Sequence, residues 1–345
     1  MFRFDSDYTE GAHPQILRRL TETNYEQTSG YGTDIYCERA AKRIRAACGR
    51  EDAAVHFLIG GTQTNVILID AALRPYQGVI AAQSGHINVH ETGAVEGTGH
   101  KILTLPSEDG KITADAVAAL CASHFDDAAP EHMVQPGMVY LSQPTENGTL
   151  YKKAELTDLR RVCDRYGLYL YVDGARLGYA LASPANDVTL PDLCALCDAF
   201  YIGGTKVGAL FGEALVILQP AIAKDFRYFV KHRAGMLAKG RLLGIQFDVL
   251  FENQLYTAIA AGAVRSALKI RAALEVRNIP LLYDSPTNQQ FPVFTKEQLE
   301  ILSRKYVFSD WGAVDDDSLA VRICTSWATS PRAVADLARD IAGLP

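Results

Sequence analysis

Phe200-Tyr201-Ile202-Gly203-Gly204-Thr205-Lys206-Val207-Gly208-Ala209 continues an apolar run from Ala199, meets two glycines and then delivers one lysine. The glycines let a backbone lie close to a flat ligand, and the lysine enters a cramped, poorly hydrated space. Burial disfavours the ammonium form, and a neutral amine attacks a carbonyl. Taken alone, the stretch reads more simply as a turn whose lysine meets solvent. A second stretch upstream changes that reading: Leu168-Tyr169-Leu170-Tyr171-Val172-Asp173-Gly174-Ala175-Arg176 is another strand-like run, ending in an acid and an arginine. Open α/β sheets seat ligands outside the carboxyl ends of their strands, at a topological switch point. One carboxylate and one amine so placed match the needs of pyridoxal phosphate. Lys206 would form the Schiff base, and Asp173 would keep the pyridine nitrogen protonated so that the ring accepts electrons.

The flanking chain supports such a sheet. Strands are expected at 55–59, 79–82, 102–105, 138–143 and 168–173, alternating with helices at 13–20, 35–48, 113–123 and 154–166 and one running to Leu73. That alternation predicts a mostly parallel, doubly wound α/β sheet, with a further strand at 213–218 antiparallel to its neighbour. Helices at 220–233 and 239–271 follow, the second bridging to a smaller α+β domain. That domain has short strands at 290–295, 305–309 and 319–324, and a last helix capped by Ser330 and opened by Pro331. We divide the chain at 1–246 and 247–345.

Several side chains stand where chemistry is expected. Gly60-Gly61-Thr62-Gln63-Thr64-Asn65 joins a strand to a helix, offering free N–H groups and a positive dipole end to a phosphate. Gly-Thr at such a turn is common, so the signal gains weight only from Asp173 and Lys206. His86 follows the strand at 79–82 and is either structural or a flat ring stacked on a coenzyme. His90 and Glu91 read as a polar helix face, and no HExxH-type context favours zinc. Arg322 sits in an apolar strand and needs a partner, either a substrate carboxylate or a structural acid.

Composition narrows the field. The chain has 345 residues, a formal net charge of -6, 48% hydrophobic and 21% charged residues. No Lys/Arg run suggests nucleic acid, and no apolar run is long enough for a bilayer. The start turns acidic by Asp5, unlike a secretory segment, so a cytoplasmic protein is expected. Seven cysteines fit reduced, buried thiols. The one CxxC, Cys194 to Cys197, reads as two thiols on one helical face, without metal.

In family order, Ser6-Asp7, Tyr31-Gly32, the Gly60 to Asn65 run, His86, Gln143-Pro144-Thr145-Glu146, Asp173 to Arg176, Gly203 to Lys206 and Arg322-Ile323-Cys324-Thr325 span nearly the whole chain. On these the sequence resembles the threonine aldolase family, β-eliminating-lyase type, among fold-type-I pyridoxal-phosphate enzymes. The resemblance implies retro-aldol cleavage of β-hydroxy-α-amino acids to glycine and an aldehyde. Lys206 would carry the coenzyme, Asp173 its ring nitrogen, Gly61 and Thr62 its phosphate, and His86 would stack on the ring. Arg176, beside the coenzyme, would join Ser6 and Arg322 on the substrate carboxylate, and His90 would face the β-substituent. His86, or a water it positions, would take the β-hydroxyl proton; a second histidine found in some relatives aligns with Met133 here, which leaves that base unassigned. Tyr31 would shape the site, and Lys239 would stand near a residue that reaches a neighbour's phosphate, in a homodimer or homotetramer with shared sites.

Overall fold

The computed structural model describes all 345 residues. Seven strands form the central sheet, in the order Ala54–Leu58, Glu213–Ile217, Ala199–Gly203, Tyr169–Asp173, Gln135–Ser142, Gln77–Ala82 and Ile102–Leu105. The last five are mutually parallel. Glu213–Ile217 runs antiparallel to both neighbours, as its short link from Lys206 predicts. The helices between strands carry ordinary sequence signals. Asp34 accepts from Tyr36 and Cys37 N–H to cap Ile35–Cys48, and Gly49 ends that helix in the left-handed region.

Side chains alternate across a strand, so each strand feeds two apolar layers. Val139, Leu141, Leu170, Val172, Phe200 and Ile202 enter one layer. Met138, Tyr140, Tyr171, Ala199 and Tyr201 enter the other. The same period of two puts Asp173 on the face of Tyr171, and the pairings Tyr140 with Tyr171 and Ser142 with Asp173 align the neighbouring strand. Three buried tyrosines therefore lie on the acid's side of the sheet.

The C-terminal sheet is antiparallel: Val293–Thr295, Ser318–Cys324 and Ser309–Ala313 lie side by side, and Gln289–Gln290 pairs with the middle strand. The Ser309–Ala313 strand lies beyond the expected 305–309, of which only Tyr306–Val307 and Ser309 are extended. A polar turn at 314–317 closes this hairpin, and a register shift sits between Asp310 and Gly312. The N-terminal arm joins this unit first: Phe2–Arg3 pairs in parallel with Tyr306–Val307, and Phe4 is fully buried beside Ile270 and Ile323. The arm then turns Asp7 toward the large sheet.

Other expected elements differ as well. The helix at 239–271 is two helices, Arg241–Leu250 and Leu255–Val276, because Asn253 and Gln254 adopt left-handed φ between them. Arg19, Arg39 and Arg43 converge on Asp248 just before the break, and Arg19 and Arg43 also hold Glu252. The helix at 220–233 is likewise split, at Asp225 with φ 60. Helix Leu190–Leu196 stops before Cys197, whose backbone is extended, so the two CxxC thiols do not share a helical face. All seven cysteines are free and buried. No helix is long and apolar enough to cross a membrane.

The glycines of the two decisive stretches owe their place to backbone rather than ligand. Gly203 N–H donates to Gly174 O at 2.9 Å, drawing the two strand ends together. A Cβ at Gly174 would stand 1.8 Å from Tyr201 O, and one at Gly203 would stand 2.2 Å from Ala175 O. Gly203→Ala is expected to cost about 3 kcal/mol or more, read as a lower urea midpoint at unchanged slope.

Candidate active site

At the carboxyl ends of these strands lies a cavity of about 280 Å³. Gly61, Thr62, His86, Asp173, Arg176 and Lys206, all singled out from sequence, line it together. Tyr8, Glu146, Tyr201 and Glu213 line it too, though the sequence reading gave none of them a role.

Asp173 ends its strand with only 4% of its surface exposed. Four donors surround the carboxylate. Oδ1 accepts from the Tyr201 hydroxyl (2.5 Å) and the Ala175 N–H (3.0 Å). Oδ2 accepts from the Tyr140 hydroxyl (2.7 Å) and Asn65 Nδ2 (3.1 Å). Burial, and then the Asp173 charge, push both phenols well above their ordinary range, so they remain protonated donors. Asn65 is itself fixed, accepting from the Tyr171 hydroxyl at 2.7 Å and donating to Glu91 Oε1 at 2.8 Å.

Glu91 is the second buried acid of this network, its side chain fully enclosed. Its Oε1 lies 2.7 Å from His86 Nδ1, which fixes Nδ1 as the protonated nitrogen. Burial opposes charge on His86, but the Glu91 hydrogen bond and the charges of Asp173 and Glu91 outweigh it and raise its pKa. His90 packs on His86 at a centroid distance of 5.5 Å, and burial, followed by the His86, Arg322, Lys206 and Arg176 charges, lowers it. The sequence reading of Glu91 as polar helix surface is therefore corrected: helix His86–Val89 ends before it, and its carboxylate turns inward.

Lys206 is half-buried at the cavity wall, and burial followed by the Arg176 charge lowers its amine, against Asp7, Asp173 and Glu213. Glu213 accepts from Gly204 N–H (2.9 Å) and the Thr205 hydroxyl (2.8 Å), and burial pushes it up to about 8. Arg176 is not free: its guanidinium forks Asp7, Nε to Oδ2 at 2.6 Å and Nη2 to Oδ1 at 3.0 Å. Asn288 adds a third donor to Asp7. Arg322 has no acidic partner. It donates to Asp5 O, the Ser309 hydroxyl and Gln289 Oε1, lies 5.1 Å from the Trp311 ring centre, and leaves Nε buried without an acceptor. Ser6 Oγ is likewise buried without a partner. Tyr31 and Lys239 stand apart from this cavity within one chain: Tyr31 is exposed with its ring 4.8 Å from Lys231 Nζ, and Lys239 lines a separate hollow with Arg241.

The residues present fit pyridoxal phosphate. Helix Gly61–Ala72 has no side-chain cap, so its first N–H groups face the cavity unclaimed beside Thr62. An anion site, an amine with lowered pKa, a flat imidazole and a carboxylate thus share one hollow. The carboxylate's four lone-pair sites are already engaged, so a ring N–H enters by sharing one of them.

The buried Asp7–Arg176 pair generates a pH dependence. Burial would raise Asp7, but the Arg176 and Lys206 charges and the bonds from Arg176 and Asn288 hold it below the usual range. A depressed folded pKa gives stability that is present above the unfolded value of about 4 and is lost as pH falls through the folded one. Asp7→Asn should cost about 3–5 kcal/mol at neutral pH by stranding Arg176, and urea titrations should show a shallower acid loss than in the parent.

The profile of the beta-eliminating lyase family matches residues 4–296. A Pseudomonas aeruginosa protein called low specificity L-threonine aldolase is 30% identical over 98% of this chain and 96% of its own length. A solved Leishmania major threonine aldolase superposes with a TM-score of 0.96 at 43% identity, covering 99% of this chain and 98% of that one. A Thermus thermophilus aspartate aminotransferase variant shares the fold, at TM-score 0.70 and 14% identity. The chain belongs to the beta-eliminating lyase family.

Proposed function

We propose that this chain is a pyridoxal-phosphate-dependent aldehyde-lyase of the low-specificity threonine aldolase type, cleaving β-hydroxy-α-amino acids to glycine and an aldehyde. It works in the cytoplasm as a homodimer or homotetramer whose sites a neighbouring copy completes. The observation that carries the reading is the meeting of Lys206, Asp173 and the open N-terminus of Gly61–Ala72 in one cavity. The relatives' names favour retro-aldol cleavage over β-elimination, racemisation or transamination, which would use the same Lys206 and Asp173.

Bound here, pyridoxal phosphate supplies an aldehyde for the substrate's amine and a ring that takes up the electron pair left when Cα–Cβ breaks. Gly61 and Thr62 hold the phosphate through backbone N–H groups and the hydroxyl. Asp173 accepts the ring N–H, its orientation fixed by Tyr140, Tyr201, Asn65 and Ala175. Lys206, with its amine depressed by burial, is the nucleophile that holds the coenzyme between turnovers. His86 would stack on the ring, its Nδ1 directed to Glu91.

Arg322 takes the substrate carboxylate, supported by its lack of any acidic partner and the free Ser6 hydroxyl nearby. Arg176, already forked by Asp7, contributes positive charge and position rather than a free fork. His90 faces the β-substituent. The exposed Tyr31 and Lys239 are the groups a partner copy would receive.

Purified protein is expected to be yellow and to release glycine from threonine, allo-threonine or phenylserine. Lys206→Ala should abolish both the absorbance and the turnover, and the parent should sediment as a dimer or larger. Pyruvate or a 2-oxo acid in place of glycine plus aldehyde would overturn the aldolase reading, and a fully active monomer would overturn the shared site.

A further inference from the structure

Retro-aldol cleavage requires a base for the β-hydroxyl proton, and the acids, the histidine and the lysine that line the cavity are few enough to compare. Asp173 has all four lone-pair sites engaged. Glu213 has one donor on each oxygen, and its pKa of about 8 leaves it protonated at neutral pH. His86 gives Nδ1–H to Glu91, and the reading above lays the rest of its ring against the coenzyme. Lys206 holds the coenzyme between turnovers and is freed when the substrate's amine takes its place. Glycine exchange, which needs Lys206, separates it from the β-hydroxyl step in the test below.

Glu146 differs from all of these. Its Oε1 takes both of its donors, the His86 N–H at 3.1 Å and the Ser142 hydroxyl at 2.7 Å. No protein group donates to Oε2, and the side chain lines the cavity beside His86, Asp173 and Lys206. The turn that presents it is rigid. Gln143 brackets Tyr151 with bonds of 2.9 and 3.1 Å, Thr145 N–H donates to Thr149 O, and the Thr145 and Thr149 hydroxyls meet at 2.7 Å. Ser142 pairs with Asp173 across the sheet, so the same strand end that aligns the ring acid also anchors Glu146.

We propose that Glu146 is the general base, its Oε2 taking the β-hydroxyl proton as Cα–Cβ breaks. This rests on the aldolase reading above. The O–H bond breaks and its proton passes to Oε2. The freed pair becomes the aldehyde's C=O, and the Cα–Cβ pair stays with Cα, where the coenzyme would stabilise it until Cα takes a proton from solvent to give glycine. After the aldehyde leaves, the carboxyl returns its proton to water entering the cavity. Burial raises the Glu146 carboxyl above the ordinary glutamate range, against the Ser142 hydrogen bond, and so moves it toward the pH at which a base is most effective. His86 then acts as a positioning residue, its backbone N–H holding the catalytic carboxylate and its ring facing the coenzyme.

The test separates the β-hydroxyl step from everything else the site does. Glycine has no β-hydroxyl, so exchange of its α-proton for deuterium, followed by NMR, needs the coenzyme, Lys206 and Asp173 but not this base. In Glu146→Gln holoenzyme, kcat for cleavage should fall by about 10²- to 10⁴-fold, while glycine exchange stays within about threefold of the parent and the coenzyme's visible spectrum is unchanged. Gln keeps an oxygen for Ser142 and the His86 N–H, so the fold should persist. Glu146→Asp, which keeps a carboxylate at shorter reach, should fall less than Gln. Cleavage retained within about tenfold in Glu146→Gln, or cleavage and exchange falling together, overturns the proposal. So does His86→Asn if it alone removes cleavage and spares exchange. A parent protein that exchanges glycine but cleaves none of the three substrates sinks the aldolase reading first, and this base with it.

Discussion

The Asp173 carboxylate is the constraint to which the rest of the sheet answers. A buried acid is costly unless its oxygens find hydrogen-bond donors. Here the donors come from four different places: the strand Gln135–Ser142, the strand Ala199–Gly203, the helix Gly61–Ala72 and the turn after Asp173 itself. Each donor is fixed by the element that carries it. The strand pairing sets where Tyr140 and Tyr201 point, and the Gly174–Gly203 approach fixes how closely the Asp173 and Tyr201 strands converge. The helix that supplies Asn65 is also the helix whose open end faces the cavity, so phosphate seat and ring acid are built on one rigid piece.

Charge around the cavity is arranged in linked pairs. Asp7 and Arg176 neutralise each other in near-complete burial, and their pairing ties the N-terminal arm to the turn that follows Asp173. Glu91 joins His86 to Asn65, and through Asn65 to Asp173. The imidazole and the ring acid are therefore not independent: moving Glu91 disturbs both. Arg322 is the exception, an arginine satisfied only by neutral acceptors and an aromatic face, with one N–H left over. It is the cation in this region still wanting an anion.

Much of this was legible in the sequence, for definite physical reasons. Apolar runs ending in Asp173 and before Lys206 gave the strands, because burial on both sheet faces leaves no other pattern. Ser330 and Pro331 marked a helix start that the structure keeps. The partners of the site residues were not legible. Tyr140, Tyr171 and Tyr201 read as core, since a tyrosine in an apolar strand gives no sign of where its hydroxyl goes. Glu91 read as helix surface because its burial depends on a turn that local spacing does not reveal. Asp7 was quoted for its neighbour Ser6, yet its hold on Arg176 spans 169 residues of chain. The helix break at 251–254 was missed because two left-handed residues in a good helical pattern answer to tertiary contacts rather than propensity.

The central claim is that Asp173 keeps a bound pyridoxal ring protonated at its nitrogen, making it an electron sink tethered at Lys206. The most direct measurement is the ¹⁵N chemical shift of the ring nitrogen in protein reconstituted with ¹⁵N-labelled pyridoxal phosphate. A pyridinium shift that persists across neutral pH is the predicted result. The shift of a neutral pyridine nitrogen would contradict the account.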